Sequence, residues 1–268
     1  MDFTELFEAE QPLVGMVHLP ALPGAPEYAG DRRAVRGEAI SDAVALFDSG
    51  FDAVMIENFG DAPFYPDEVP KHTVAEMTAL ARELSIGIDR PFGVNVLRND
   101  AEAALSVAAA AGGAFVRVNV HTGVRASDQG WLAGRAHETM RLRDRIDADV
   151  AVLADVAVKH SAAPVERDTA QLARETIERG LADGLVVSGP ETGEPADAEE
   201  LERVVAARDA TDPEVPVLVG SGVTPANAAA LLDIADGAIV GTATKAAGET
   251  TNPVDPERAA ALVDAVKE

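Results

Sequence analysis

Two glycine-bearing turns are the stretches of this 268-residue chain best suited to holding a phosphate: Gly220-Ser221-Gly222 and Gly241-Thr242. Glycine lets backbone N–H groups come close to an anion. VGSGVTPAN (219–227) reads as a strand, a turn and a helix start, whose dipole also favours negative charge. Lys245, at the end of VGTATK, would add a point charge. Glycines also make ordinary tight turns, so the pair of turns carries the inference where either alone would not. For moving protons the candidates are Glu57 and Asp155, two carboxylates at the ends of apolar runs, together with His18 and His121. The same two carboxylates could hold a divalent cation, or simply pair with Arg117. Lys159, in ADVAVKHSAAP, would serve as an anion-binding charge, or as a Schiff-base amine if its pKa is depressed. Asn95, Arg98, Arg117, Asn119 and Ser188 are the candidates for binding the remainder of a ligand. In the stretch 119–134, Asp128 could share acid–base work, Arg125 could hold phosphate, and the sole tryptophan, Trp131, is expected to pack. HExxH and Walker A motifs are absent. GSGVTP has only the first two glycines of GxGxxG, so no dinucleotide is expected.

These residues lie on a regular alternation of elements. Short Val/Ile-rich runs at 13–19, 52–58, 91–96, 114–120, 149–156, 183–189, 215–222 and 235–242 are bounded by Gly, Pro or Asp, as buried strands are. Helices are expected over 32–49, 72–89, 100–111, 131–147, 166–179, 197–210, 224–233 and 255–267, with Asp100, Asp197, Thr224 and Asp255 at their starts. Eight such units over about 250 residues predict a one-domain (β/α)8 barrel spanning 1–268, with an open doubly wound sheet as the alternative. Side chains alternate faces along a strand. Val116 and Val118 therefore oppose Arg117 and Asn119, and Val54 and Ile56 oppose Met55 and Glu57. One face stays apolar, while the other turns polar toward the strand's C-terminal end, where barrels keep their sites. On this parity His18, Glu57, Asn95, Arg117, Asn119, His121, Asp155 and Ser188 ring one mouth. HLPALPGAP (18–26), stiffened by three prolines, forms a wall or lid beside it.

Composition narrows the function classes. There is no cysteine, which excludes disulfides, thiolate metal sites and cysteine nucleophiles. The net charge of −24 disfavours nucleic acid and anionic membranes as partners. Only four lysines occur, and the acidic residues are dispersed along predicted helices, a pattern expected of a halophilic surface. The acidic start MDFTELFEAE lacks the basic n-region of a signal peptide, and no apolar run approaches bilayer length, which predicts a soluble cytoplasmic protein without membrane insertion. Homo-oligomerisation is compatible with this surface. The expected partner is a small phosphorylated ligand.

The segments GMVHLPALPGAP, DAVMIENFGDAPF, VPKHTVAEMT, FGVNVLRND, FVRVNVHTGVRASDQG, ADVAVKHSA, VVSGPETG, VLVGSGVTPAN and VGTATK…NPVD cover nearly the whole chain, which resembles the BtpA/SgcQ family. That resemblance implies a barrel of the ribulose-phosphate-binding kind and, through the family's namesake, a role in photosystem I biogenesis. It assigns no catalytic residue. With the acidic composition, it suggests a haloarchaeal member. Two functions are therefore expected as alternatives: an enzyme with lyase, isomerase or transferase chemistry on a sugar phosphate or nucleotide-like metabolite, and a non-catalytic assembly factor.

Overall fold

The computed structural model describes residues 3–165, 167–189 and 192–267. Glu166, expected to open the sixth helix, and Pro190 and Glu191 of VVSGPETG lie outside the described residues. The first half of the chain runs α1 (Phe3–Phe7), β1 (Leu13–His18), α2 (Arg32–Asp48), β2 (Ala53–Glu57), α3 (Lys71–Gly87), β3 (Phe92–Asn95), α4 (Ala101–Ala111) and β4 (Phe115–Val118). It continues with β5 (Val124–Ser127), β6 (Gly130–Ala133), α5 (Ala136–Arg145), β7 (Ala151–Asp155), β8 (Ser161–Ala162), α6 (Thr169–Glu178) and β9 (Gly184–Val187). The last elements are α7 (Ala198–Asp209), β10 (Val217–Gly220), α8 (Ala228–Leu232), β11 (Gly237–Val240) and α9 (Pro256–Lys267). Eight parallel strands close in the order β1-β2-β3-β4-β7-β9-β10-β11, with β11 returning to β1. This is a (β/α)8 barrel, and each of the eight apolar runs contains one of its strands.

Parity sorts the interior into two cores. Outward residues such as Val54, Ile56, Val94, Val116, Val152 and Val219 pack under the helices. Inward residues, among them Val14, Met16, Met55, Phe115, Leu153 and Ile239, fill the lumen. Phe115 claims so much of it that a Cβ on Gly93, facing inward on the adjacent strand, would lie 2.1 Å from its ring. Below, Phe7 of α1 packs on Phe115 with ring centroids 5.2 Å apart and closes the barrel floor. The helices follow the acidic caps: Asp100 accepts from Ala103 N, and Asp197 from Glu200 N. Asp31 and Asp168 cap α2 and α6 in the same way.

Two helices differ from expectation. The helix expected over 131–147 begins at Ala136, because residues 124–133 form an antiparallel hairpin, β5–β6, which β8 extends to three strands. The helix expected over 224–233 is helical only from Ala228 to Leu232. Thr224 is not its cap; Thr224 N donates to Asn227 Oδ1 at 2.7 Å in the preceding turn. No helix among the described residues is long and apolar enough to cross a membrane.

Candidate ligand-binding site at the barrel mouth

The polar ends of the strands converge as parity requires. Arg117, 4 % exposed, donates to Asp155 through Nε at 3.0 Å and Nη2 at 2.7 Å. Its Nη2 also reaches Ser188 Oγ at 3.1 Å, and Asn119 Nδ2 donates to Asp155 at 2.9 Å. Ser188 Oγ lies 3.3 Å from Asp155 Oδ1. Burial works against the Arg117 cation, but Asp155 outweighs it and holds the guanidinium pKa above its ordinary value. Asp155 is thus engaged by three side chains and lines no part of the open mouth, which removes it as a free base. It is the anchor that aims Arg117 and Asn119.

Glu57 is the carboxylate left available. Its Oε2 accepts from Asn95 Nδ2 at 2.6 Å, and its Oε1 lies 3.8 Å from His18 Nε2. His18 Nδ1 is 3.2 Å from the Thr250 carbonyl, which can only accept, so the proton is assigned to Nδ1 and the lone pair to Nε2. The ring lies 4.8 Å from that of Phe59. Burial, reinforced by repulsion from Lys245 and Lys159, pushes His18 down to about 3. Between pH 6.5 and about 3 the unfolded chain binds a proton here that the folded chain refuses, so stability falls as pH falls through this window. Urea denaturation at pH 7 and pH 4 should show His18→Gln losing less stability than the parent, by about 3 kcal/mol. Equal losses in the two proteins would contradict a neutral His18.

Two adjoining chambers open above this layer. The first, of about 180 Å3, lies over the glycine turns. Gly220 and Gly241 face inward at the positions where the other strands carry polar side chains. A Cβ on Gly220 would lie 2.6 Å from Val186, and one on Gly241 would lie 3.0 Å from the His18 ring. Ser221, Gly222, Val223, Thr242 and Ala243 line this chamber, and their five backbone N–H groups have no acceptor within the described residues. Gly222 sits at φ +63° against the Glu194–Pro195 backbone, 2.2 Å from a would-be Cβ, so only glycine fits there. The Ser221 and Thr242 hydroxyls are spent on local bonds, Ser221 to Glu194 O and Thr242 to Thr250. The turn therefore offers backbone rather than side-chain donors. Contrary to the helix start expected at Thr224, α8 spans only Ala228–Leu232, and none of its residues lines the chamber.

The second chamber, of about 160 Å3, has apolar walls from Phe59, Phe64 and Leu97 and polar groups from Arg98, Asn119 and Asp128. Glu57, Arg117, Lys159 and Thr192 border both chambers. Burial pushes Lys159 down to about 8, with Arg117 adding repulsion and Glu57 and Asp155 opposing it. Its ammonium has no hydrogen-bond or ion-pair partner among the described residues.

Four expected site features are corrected. Lys245 is fully buried, and its Nζ pairs with Asp42 of α2 at 2.6 Å, away from both chambers; a lysine so enclosed needs a carboxylate more than a ligand. His121 lies past the end of β4, where strand parity no longer holds; its Nε2 meets Gly180 O at 2.8 Å under α6, and burial lowers its pKa. Arg125 binds Ser161 through Nε at 2.7 Å and ties β5 to β8. Trp131 does not pack: it is 65 % exposed and shares the outer face of the hairpin with Val124. Beyond His18 the loop 18–26 is neither lid nor chamber wall but is tied to the turn after β2. Leu22 N donates to Asp61 Oδ1 at 2.7 Å, and Gly60 N donates to Leu19 O at 2.9 Å. Sequence reasoning missed Thr192 and Arg258, both lining the first chamber. Arg258 gave no signal because it lies in an ordinary charged helix start. Among the described residues no three His, Asp or Glu side chains gather closely enough to hold a metal ion.

The closed ring of eight parallel strands, with a polar mouth and free backbone N–H groups in the turns after its last two strands, defines a (β/α)8 barrel. The chain belongs to the BtpA family, whose model matches residues 9–268. It is 41 % identical over 268 residues to the photosystem I biogenesis protein BtpA of Synechocystis sp., covering all of this chain and 92 % of that one. It is 48 % identical over 258 residues to an uncharacterized protein of Thermococcus kodakarensis, covering 96 % of each. Among solved structures, phosphoribosylanthranilate isomerase from Thermotoga maritima superposes with a TM-score of 0.59 at 13 % identity, over 96 % of this chain and 98 % of that one. That likeness is one of fold.

Proposed function

We propose that the barrel mouth binds a small phosphorylated metabolite, a sugar phosphate or nucleotide-like compound, and that the protein acts on it by lyase, isomerase or transferase chemistry in the cytoplasm. The observation that carries this reading is the set of five unaccepted backbone N–H groups lining the first chamber. An anion there would accept from N–H groups that no described protein group accepts from. Glu57 moves the proton, with the His18 Nε2 lone pair 3.8 Å away as a second acceptor. Lys159 lies where it can polarise a carbonyl. Thermal denaturation with inorganic phosphate, ribose 5-phosphate and glycerol 3-phosphate tests the binding. A ligand at 100 times its dissociation constant should add about 2.7 kcal/mol. No shift with any phosphorylated compound would remove the reading.

A second reading, a non-catalytic biogenesis factor, draws more direct support from the comparisons, because the Synechocystis relative's name states such a role while the solved structure shares only the fold. The apolar hairpin face of Trp131 and Val124 is the kind of exposed patch that docking requires. On that reading the mouth stays empty, and sugar phosphates leave the melting curve unmoved.

Salt dependence is a separate proposal. With a net charge of −24, self-repulsion at low ionic strength should loosen the fold. Dialysis from molar salt into dilute buffer should cost helical circular dichroism; an unchanged spectrum would count against a halophilic surface. The relatives give a haloarchaeal source no support.

A further inference from the structure

Four cationic side chains among the described residues are buried: Arg98, Arg117, Arg208 and Lys245. Three of them have a carboxylate in contact. Arg117 meets Asp155 at 2.7 Å, Arg208 meets Asp236 at 2.7 Å and Lys245 meets Asp42 at 2.6 Å. Arg98, 5 % exposed, has none. Its guanidinium donates from Nη2 to the Lys159 carbonyl at 2.7 Å and makes no ion pair with any described residue. A guanidinium offers five N–H donors in a planar fork, and taking it out of water without a partner is expensive. Burial accordingly pushes its pKa below the ordinary arginine value.

The second chamber lies beside this fork. Two further groups at its wall are incomplete. Among the described residues the Lys159 ammonium has no partner, and the buried Asn119 Oδ1 receives no donor. Where the first chamber presents three consecutive free backbone N–H groups, Ser221, Gly222 and Val223, the second presents the side-chain fork of Arg98. A single planar fork between apolar walls matches a carboxylate instead.

We propose that the second chamber is a carboxylate subsite, with Arg98 as the recognising residue, so that the ligand carries a phosphate at one end and a carboxylate at the other. This rests on the phosphate reading of the first chamber. Glu57, Arg117 and Lys159, common to both chambers, face the middle of such a molecule.

Isothermal titration with glycerol 3-phosphate and 3-phosphoglycerate tests it, since the two probes share a phosphate and differ in the carboxylate. The acid should bind at least tenfold tighter. Arg98→Met should bring 3-phosphoglycerate down to the affinity of glycerol 3-phosphate, without lowering the urea midpoint, because it removes an unpaired buried cation. Arg98→Lys, which keeps the charge and loses the fork, should forfeit most of the advantage and serves if the methionine variant misfolds. Equal affinities in the parent protein, or an advantage that survives both substitutions, would overturn the carboxylate subsite alone. If neither probe binds, the phosphate reading of the mouth falls and takes this inference with it.

Discussion

Lys245→Met is expected to destabilise the protein by about 3–5 kcal/mol, the cost of leaving one member of a buried ion pair uncompensated. Asp42 would be that member. Its Oδ2 accepts from Lys245 Nζ at 2.6 Å and its Oδ1 from Val254 N at 2.8 Å. Burial lowers the lysine pKa and Asp42 opposes it, as expected of a cation retained by its partner. The pair ties α2 to the segment that follows β11, and so pins the seam where the barrel closes. Replacing both partners, Asp42→Leu with Lys245→Met, should recover much of the loss, since it leaves no buried charge behind. Urea denaturation measures both. A loss under about 1 kcal/mol, together with a collapse of phosphate binding, would return Lys245 to the phosphate role expected from the sequence.

Arg117→Met should cost a similar amount, about 3–5 kcal/mol, and ligand binding as well. Removing the guanidinium strands Asp155 beneath the mouth with only Asn119 and Ser188 to satisfy it. Arg117 also borders both chambers, so the surviving folded protein should lose the thermal response to phosphorylated compounds. Denaturation midpoints and ligand-induced shifts taken on the same samples separate the two effects. A variant as stable as the parent would contradict the accounting of the mouth as a charged network held by Asp155. One that is destabilised yet binds normally would confine Arg117 to structure.

The barrel was legible from period-two alternation because strand geometry leaves it little freedom. His18, Glu57, Asn95, Arg117 and Asp155 sit on the lumen side for the same reason as Val14, Met55 and Phe115. The glycine turns were legible because few other backbones can occupy such corners. What failed lay beyond the reach of the period. His121 follows the last residue of β4 by three positions, and there the chain turns outward. Lys245 reaches away from the turn that carries it because its partner, Asp42, is 203 residues distant in sequence. The hairpin at 124–133 falls in the stretch between β4 and α5, to which the sequence pattern assigns no strand. That Arg98 makes no ion pair with a described residue leaves no trace in the sequence, since it depends on which carboxylates fail to come near.

On the proposed function, the turns at 220–223 and 241–243 seat a phosphate. A crystal structure of the full chain grown with glycerol 3-phosphate tests it most directly. Phosphate density is expected within hydrogen-bonding distance of the N–H groups of Ser221, Gly222, Val223, Thr242 and Ala243, with the glycerol moiety toward Glu57 and Lys159. Phosphate bound elsewhere on the protein, or an empty mouth in crystals saturated with the compound, would contradict it.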